Sequence, residues 1–123
     1  MTSNEKYLDD TICQKLIYDV GNDLFLQLLK VYIEESQQIC QKLISAIVKQ
    51  DLKACELHAH SLKSSSKTYG AEQLAIVSEQ AEQAAKSADT KLLSQLSCEI
   101  TQLHQATITY ALSQVSYSQA QQF

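Results

Sequence analysis

The chain is predicted to be all-α, an antiparallel up-down-up-down four-helix bundle with an additional short N-terminal helix. Three observations carry that prediction. The 123 residues include no proline and only two glycines, which argues against a loop-rich or β-rich design. Apolar and small residues recur alternately three and four apart, the spacing of a helical stripe turned toward a core. Aspartate or asparagine stands ahead of most of these stripes, where its side chain can accept the unpaired amides of a first helical turn.

In chain order, Asp9 or Asp10 can cap a first, short helix whose apolar edge is Ile12, Leu16, Ile17 and Val20. Gly21 falls where that helix must stop. Asn22 or Asp23 can cap the second helix, with a seam of Phe25, Leu29, Tyr32, Ser36, Ile39, Leu43 and Ala46, widened by Leu28, Cys40 and Ile47. Running from Asp23 to Lys49, it would extend about 40 Å at 1.5 Å per residue. The break at Gln50-Asp51 is so short that the third helix must fold back beside the second, with Asp51 as its cap. Its seam is Leu52, Cys55, Ala59, Leu62, Ser66 and Tyr69, and Gly70 permits the next reversal. The fourth helix places Leu74, Val77, Ser78, Ala81 and Ala85 inward, small enough for a neighbour to come close. Asp89 can cap the fifth, which carries Leu93, Leu96, Ile100, Leu103, Thr107 and Tyr110. Residues 1–6 and those from about 116 onward lack a stripe and are expected to be loose. A single domain spanning 1–123, with its core at about 8–115, is expected from a length near the modal domain size.

Charge and cysteine content narrow the function. A net charge of -4 and a pI near 5.2 argue against nucleic-acid binding, which needs a concentrated basic surface. Cys13, Cys40, Cys55 and Cys98 are widely spaced with no C-x-x-C pair, so reduced thiols are expected rather than disulfides or a metal site. No signal peptide or apolar run of membrane-spanning length is present, which makes a cytoplasmic location, away from membranes, the default expectation.

On the third helix, His60 points about 120° from the centre of the stripe at 100° per residue, and should face water. Lys53, Lys63, Ser64 and Lys67 project on the same side. Such a face suits a negatively charged group. A neutral imidazole is nucleophilic near pH 7, and Lys63, one turn on, can reach the oxygens of a phosphoryl group. Ser64 can donate a further hydrogen bond or leave the approach clear. Glu56, four residues before His60, is a candidate to accept the Nδ1 proton and leave Nε2 free to attack. Leu57 points off the stripe and is a candidate partner contact. His58 lies about 160° round the helix from His60, so the pair cannot chelate one metal. His104 reads most simply as a surface or packing residue.

Ala59, His60, Leu62, Lys63, Ser65, Ser66, Gly70 and Ala71, in the pattern Ala-His-x-Leu-Lys-x-Ser-Ser followed by Gly-Ala, resemble the signature of histidine-containing phosphotransfer (HPt) domains. The resemblance extends upstream through Val20-Gly21-Asn22-Asp23-Leu24-Phe25 and covers roughly residues 8 to 115. Ser64 departs from it, since the family often has glycine directly after the lysine. The resemblance implies a phosphorelay intermediate, a carrier and not a self-sufficient enzyme. His60 would accept a phosphoryl group from the aspartate of a response-regulator receiver, such as that of a hybrid sensor histidine kinase, and pass it to another receiver aspartate. It further implies that Gly70, by lacking a side chain, leaves space for the histidine and the docking partner. No cofactor is expected on this chain, Mg²⁺ being brought by the receiver, and a monomer is expected. Lys53 and Lys67 would then complement the acidic receiver pocket.

Three other readings compete. A non-phosphorylated helical adaptor that binds receivers is the alternative, and the intact His60, Lys63 and Gly70 set argues against it. The phosphoacceptor segment of a histidine kinase resembles this chain less, because an acidic residue typically follows its histidine and a proline lies nearby. Here Ser61 follows, and proline is absent. A metalloenzyme built into a bundle core would need inward glutamates, and the seams named above contain none. Nor is an acidic cluster suited to Mg²⁺ apparent beside His60.

Overall fold

The computed structural model describes residues 7–121, with side chains through Val115. Five helices run in order: α1 (Asp10–Val20), α2 (Asn22–Lys49), α3 (Leu52–Thr68), α4 (Glu72–Lys86) and α5 (Thr90–Gln121). Each of the four longer helices packs against the next, and α5 closes back on α2, so the bundle is a ring in chain order. The predicted seams form its core. Leu29, Leu43, Cys55, Ala59, Leu62, Ala81 and Ile100 are wholly enclosed.

The reversals between the long helices share one construction. After α3, the Ala71 amide donates to Ser66 O at 2.9 Å and the Gly70 amide to Lys67 O at 3.2 Å, the paired bonds that close a helix through a left-handed residue. The same pair follows α2 around Gln50 and α4 around Ala88, whose φ angles are 57° and 56°. Two of three such turns therefore manage without glycine, although a side chain in this conformation costs about 1–2 kcal/mol. Gly70 is required for another reason. A Cβ there would stand 2.6 Å from Asp9 Cβ and 2.9 Å from the Asp9 amide nitrogen.

That close approach fixes α1 over one end of the bundle. The Asp9 amide donates to Gly70 O at 2.9 Å, and the Asp9 carboxylate caps α1 by accepting from the Thr11 and Ile12 amides. Leu8, ahead of the helix, is the residue here that reaches the core. Within α1 no side chain is fully buried, and Val20, expected on its apolar edge, is exposed. Helix α2 begins one residue earlier than expected. Gly21 occupies the cap position that Asn22 or Asp23 was expected to fill, and it brings no side-chain cap bond. Asp51 and Asp89 cap α3 and α5 as expected, accepting from the Ala54 and Leu92 amides. Helix α5 continues to Gln121, beyond the loose end expected from about 116, while residues 1–6 lie outside the described residues.

Candidate functional site

Buried Ala59 and Leu62 anchor α3 against α4, and their phase turns His60 outward at the seam between the two helices. The His60 side chain is 57% exposed. Its inner edge is held: Nδ1 lies 3.0 Å from Oε2 of Glu82, on α4. Glu82 is itself almost enclosed, with 7% of its side chain exposed, and three cations or donors face it. Lys63 Nζ donates to Oε1 at 2.7 Å, and Lys86 Nζ stands 3.7 Å from Oε2. The Lys63 hydrogen bond, aided by that from His60 and opposed by burial, holds the Glu82 carboxyl down at about 2.

The protonation of the ring follows from that carboxylate. At neutral pH Glu82 is ionised and can only accept, so the proton between the two groups belongs to His60 Nδ1. In the neutral ring this leaves the lone pair on Nε2. An imidazole held by its Nδ1 edge in this way, and more than half exposed, has the chemistry for nucleophilic attack through Nε2 when neutral.

Of the residues singled out from the sequence, α3 displays Lys53, Leu57, Ser64 and Lys67 in solvent with His60. Lys63 differs from the expectation. Its ammonium is tucked against α4, donating to Glu79 Oε2 at 2.6 Å as well as to Glu82, and these bonds raise its pKa. Glu56 does not orient the imidazole; Glu82 does, because the inner edge of the ring faces α4 and not the preceding turn of its own helix. Gly70 is not part of the site either. Ten residues beyond His60, about 15 Å along α3, its missing side chain makes room for Asp9 and not for a histidine or a docking partner. His58 is half-buried on another face. His104 is buried on α5, its Nε2 3.0 Å from Ser36 Oγ, a packing role.

Glu79, Glu82 and Lys86 were missed in the sequence. One signal was present: Glu82 follows Ser78 by four residues and precedes Ala85 by three, so a charge sits at a core-facing phase of α4. Glu82 is therefore an inward glutamate, which the predicted seams lacked, and Glu79, on the same helix, is the second carboxylate that Lys63 binds. Lysines occupy both. Among the described residues, no group of three or more His, Cys, Asp or Glu side chains gathers as a metal site. The four cysteines are free thiols, with Cys40 and Cys55 buried and Cys98 exposed.

No curated protein sequence matches the chain. A solved structure described as histidine-containing phosphotransfer protein B (HptB) from Pseudomonas aeruginosa PAO1 is similar in fold, with a TM-score of 0.86 at 22% identity over 90% of this chain and 96% of that one. The sequence pattern of the family described as "Hpt domain" matches residues 27–106, which contain α3, α4 and every side chain of the His60 cluster. The chain therefore belongs to the Hpt domain family, the phosphocarriers of His-to-Asp phosphorelays between receiver domains.

Proposed function

We propose that His60 is the phosphoacceptor of this phosphocarrier, loaded from one receiver aspartate and discharged to another. The observation that supports it is the Glu82–His60 pair: a carboxylate on Nδ1 at 3.0 Å and a ring otherwise in solvent. In the loading step Nε2 attacks the phosphorus of the aspartyl phosphate. A P–N bond forms, the P–O bond to the aspartate breaks, and that carboxylate leaves with the electron pair. The ring keeps its Nδ1 proton and becomes formally cationic. Glu82, facing that proton, offsets the charge where it develops. Discharge is the reverse, with the electron pair returning to Nε2 as the next aspartate attacks.

Hpt domains engage receiver domains and hybrid kinases as a class; the finer reading is a monomer that meets receivers through the exposed face of α3. Lys53, Leu57 and Lys67 are its proposed contacts. Lys63 supplies charge to the phosphoryl oxygens, Ser64 leaves the approach clear, and the metal and most catalytic groups come with the receiver. Among the described residues no helix is long and apolar enough to cross a membrane, and a cytoplasmic relay without nucleic acid is proposed.

The test is transfer from a radiolabelled phospho-receiver. Wild type acquires acid-labile label, His60→Gln acquires none, and His58→Gln labels normally. Glu82→Gln labels about tenfold more slowly, as expected for loss of a charge-assisted hydrogen bond from the transition state. Label in His60→Gln removes the assignment, and receiver binding by an unlabelled wild type leaves a helical adaptor in its place.

A further inference from the structure

Lys63 has three N–H bonds to give, and in the resting protein two are committed to carboxylates, at 2.6 Å to Glu79 and 2.7 Å to Glu82. An ammonium held in this way does not stand waiting for phosphate. It must first release a partner, and the two carboxylates differ in how readily they can be released. Glu82 is nearly enclosed and spends both oxygens, Oε2 on His60 and Oε1 on Lys63, so freeing it would leave a buried charge less compensated. Glu79 lies at the rim with 43% of its side chain exposed, and its other oxygen already accepts from Gln83 Nε2 at 3.0 Å. Water can replace the ammonium there.

Charge runs the same way. The resting cluster holds two carboxylates, Glu79 and Glu82, and two ammonium groups, Lys63 and Lys86, and is balanced before any phosphate arrives. A phosphoryl dianion on Nε2 adds negative charge beside Glu79 and offers the Lys63 ammonium a stronger acceptor. With Glu82 Oε1 as a fixed pivot, the ammonium has one rim partner to exchange.

We propose that Glu79 is a positioning residue that competes with the phosphoryl group on His60 for the Lys63 ammonium, and so sets how strongly this protein holds phosphate against a receiver aspartate. The proposal rests on His60 being the phosphoacceptor. In the unphosphorylated protein Glu79 keeps Lys63 folded against α4; once His60 is phosphorylated, Lys63 turns to the phosphoryl oxygens and Glu79 goes to solvent.

The experiment is the equilibrium distribution of radiolabelled phosphate between this protein and one purified receiver, for wild type, Glu79→Gln, Lys63→Met and the double variant. Removing the competitor raises the equilibrium constant toward phosphorylated His60 by roughly two- to fivefold, the range of a partly exposed ion pair. The Lys63→Met variant lowers it, and in that background Glu79→Gln has no further effect. Thermal unfolding of the same variants separates this from a stabilising role, which would shift the midpoint and leave the phosphate distribution alone. An unchanged or lower constant in Glu79→Gln overturns the proposal, as does an equal rise with Lys63 absent, which would mean simple repulsion. A wild type that takes no label on His60 removes the phosphoacceptor assignment and this one together; a labelled wild type with an indifferent Glu79→Gln removes this one alone.

Discussion

A carboxylate enclosed in an apolar stripe is costly unless it is paired, and removing one partner of such a pair typically costs about 3–5 kcal/mol. Glu82 meets that condition through Lys63, His60 and Lys86, so the residue that orients the imidazole is also tied into the α3–α4 seam. Gly70 shows the opposite division of labour. It sits in the family motif, yet its constraint is steric: φ is +72° and Asp9 Cβ fills the place of its missing side chain. Gly70→Ala should therefore lose about 1–2 kcal/mol to the backbone conformation alone, and more to the displacement of Asp9. Denaturant unfolding would measure that loss. The rate at which the folded fraction takes phosphate on His60 should be unchanged, and a rate deficit without a stability deficit would return Gly70 to the site.

Helix against helix, the bundle is registered by a few buried polar bonds within apolar seams. Tyr32 Oη and Ser66 Oγ, 2.9 Å apart, join α2 to α3, and Tyr69 stacks on Tyr32 while donating to Leu28 O. His104 and Ser36 join α5 to α2. The Ser36 hydroxyl donates to Ile33 O at 3.2 Å, so its oxygen accepts from Nε2–H of a neutral His104. Burial lowers the His104 pKa below its usual 6.5. The unfolded chain then binds a proton that the folded chain refuses. The stability due to this neutral contact is complete above about pH 6.5 and is lost as pH falls through the lower, folded value. Urea midpoints should drop from about pH 7.5 to about pH 5.5, and drop less in His104→Gln. Equal slopes in the two proteins would mean that another group carries the dependence.

At the scale of the whole molecule, an acidic protein presents one locally basic face. Its net charge is -4, while Lys53 and Lys67 flank His60 in solvent and make no ion pair among the described residues. Leu57 stands on the same helix, 61% exposed and with little of the bundle to support. As a surface site, Leu57→Ser should change folding stability by no more than about 0.5 kcal/mol. Its affinity for a receiver should fall about tenfold, as expected if about 1.5 kcal/mol of apolar burial is lost at the interface. Titration with a receiver, alongside thermal unfolding, decides the matter: lost stability with intact affinity would make Leu57 a packing residue.

The sequence by itself determined the five helices, their inward stripes, two of the aspartate caps and the outward phase of His60. All of these depend on interactions within a few residues, or on the 3.6-residue repeat, and Ala59, Leu62 and Ser66 lie where that repeat puts them. Only the tertiary structure decided which carboxylate holds the imidazole, what Lys63 rests against, and why residue 70 must be glycine. Glu82 and Glu79 are separated from His60 and Lys63 by a helical reversal, and Asp9 from Gly70 by three helices. A helix period states which way a side chain points but not how the facing helix is rotated or how far it has slid. That rotation and sliding, set by the small residues of α4 packing on α3, brought Glu82, and not Glu56, to Nδ1.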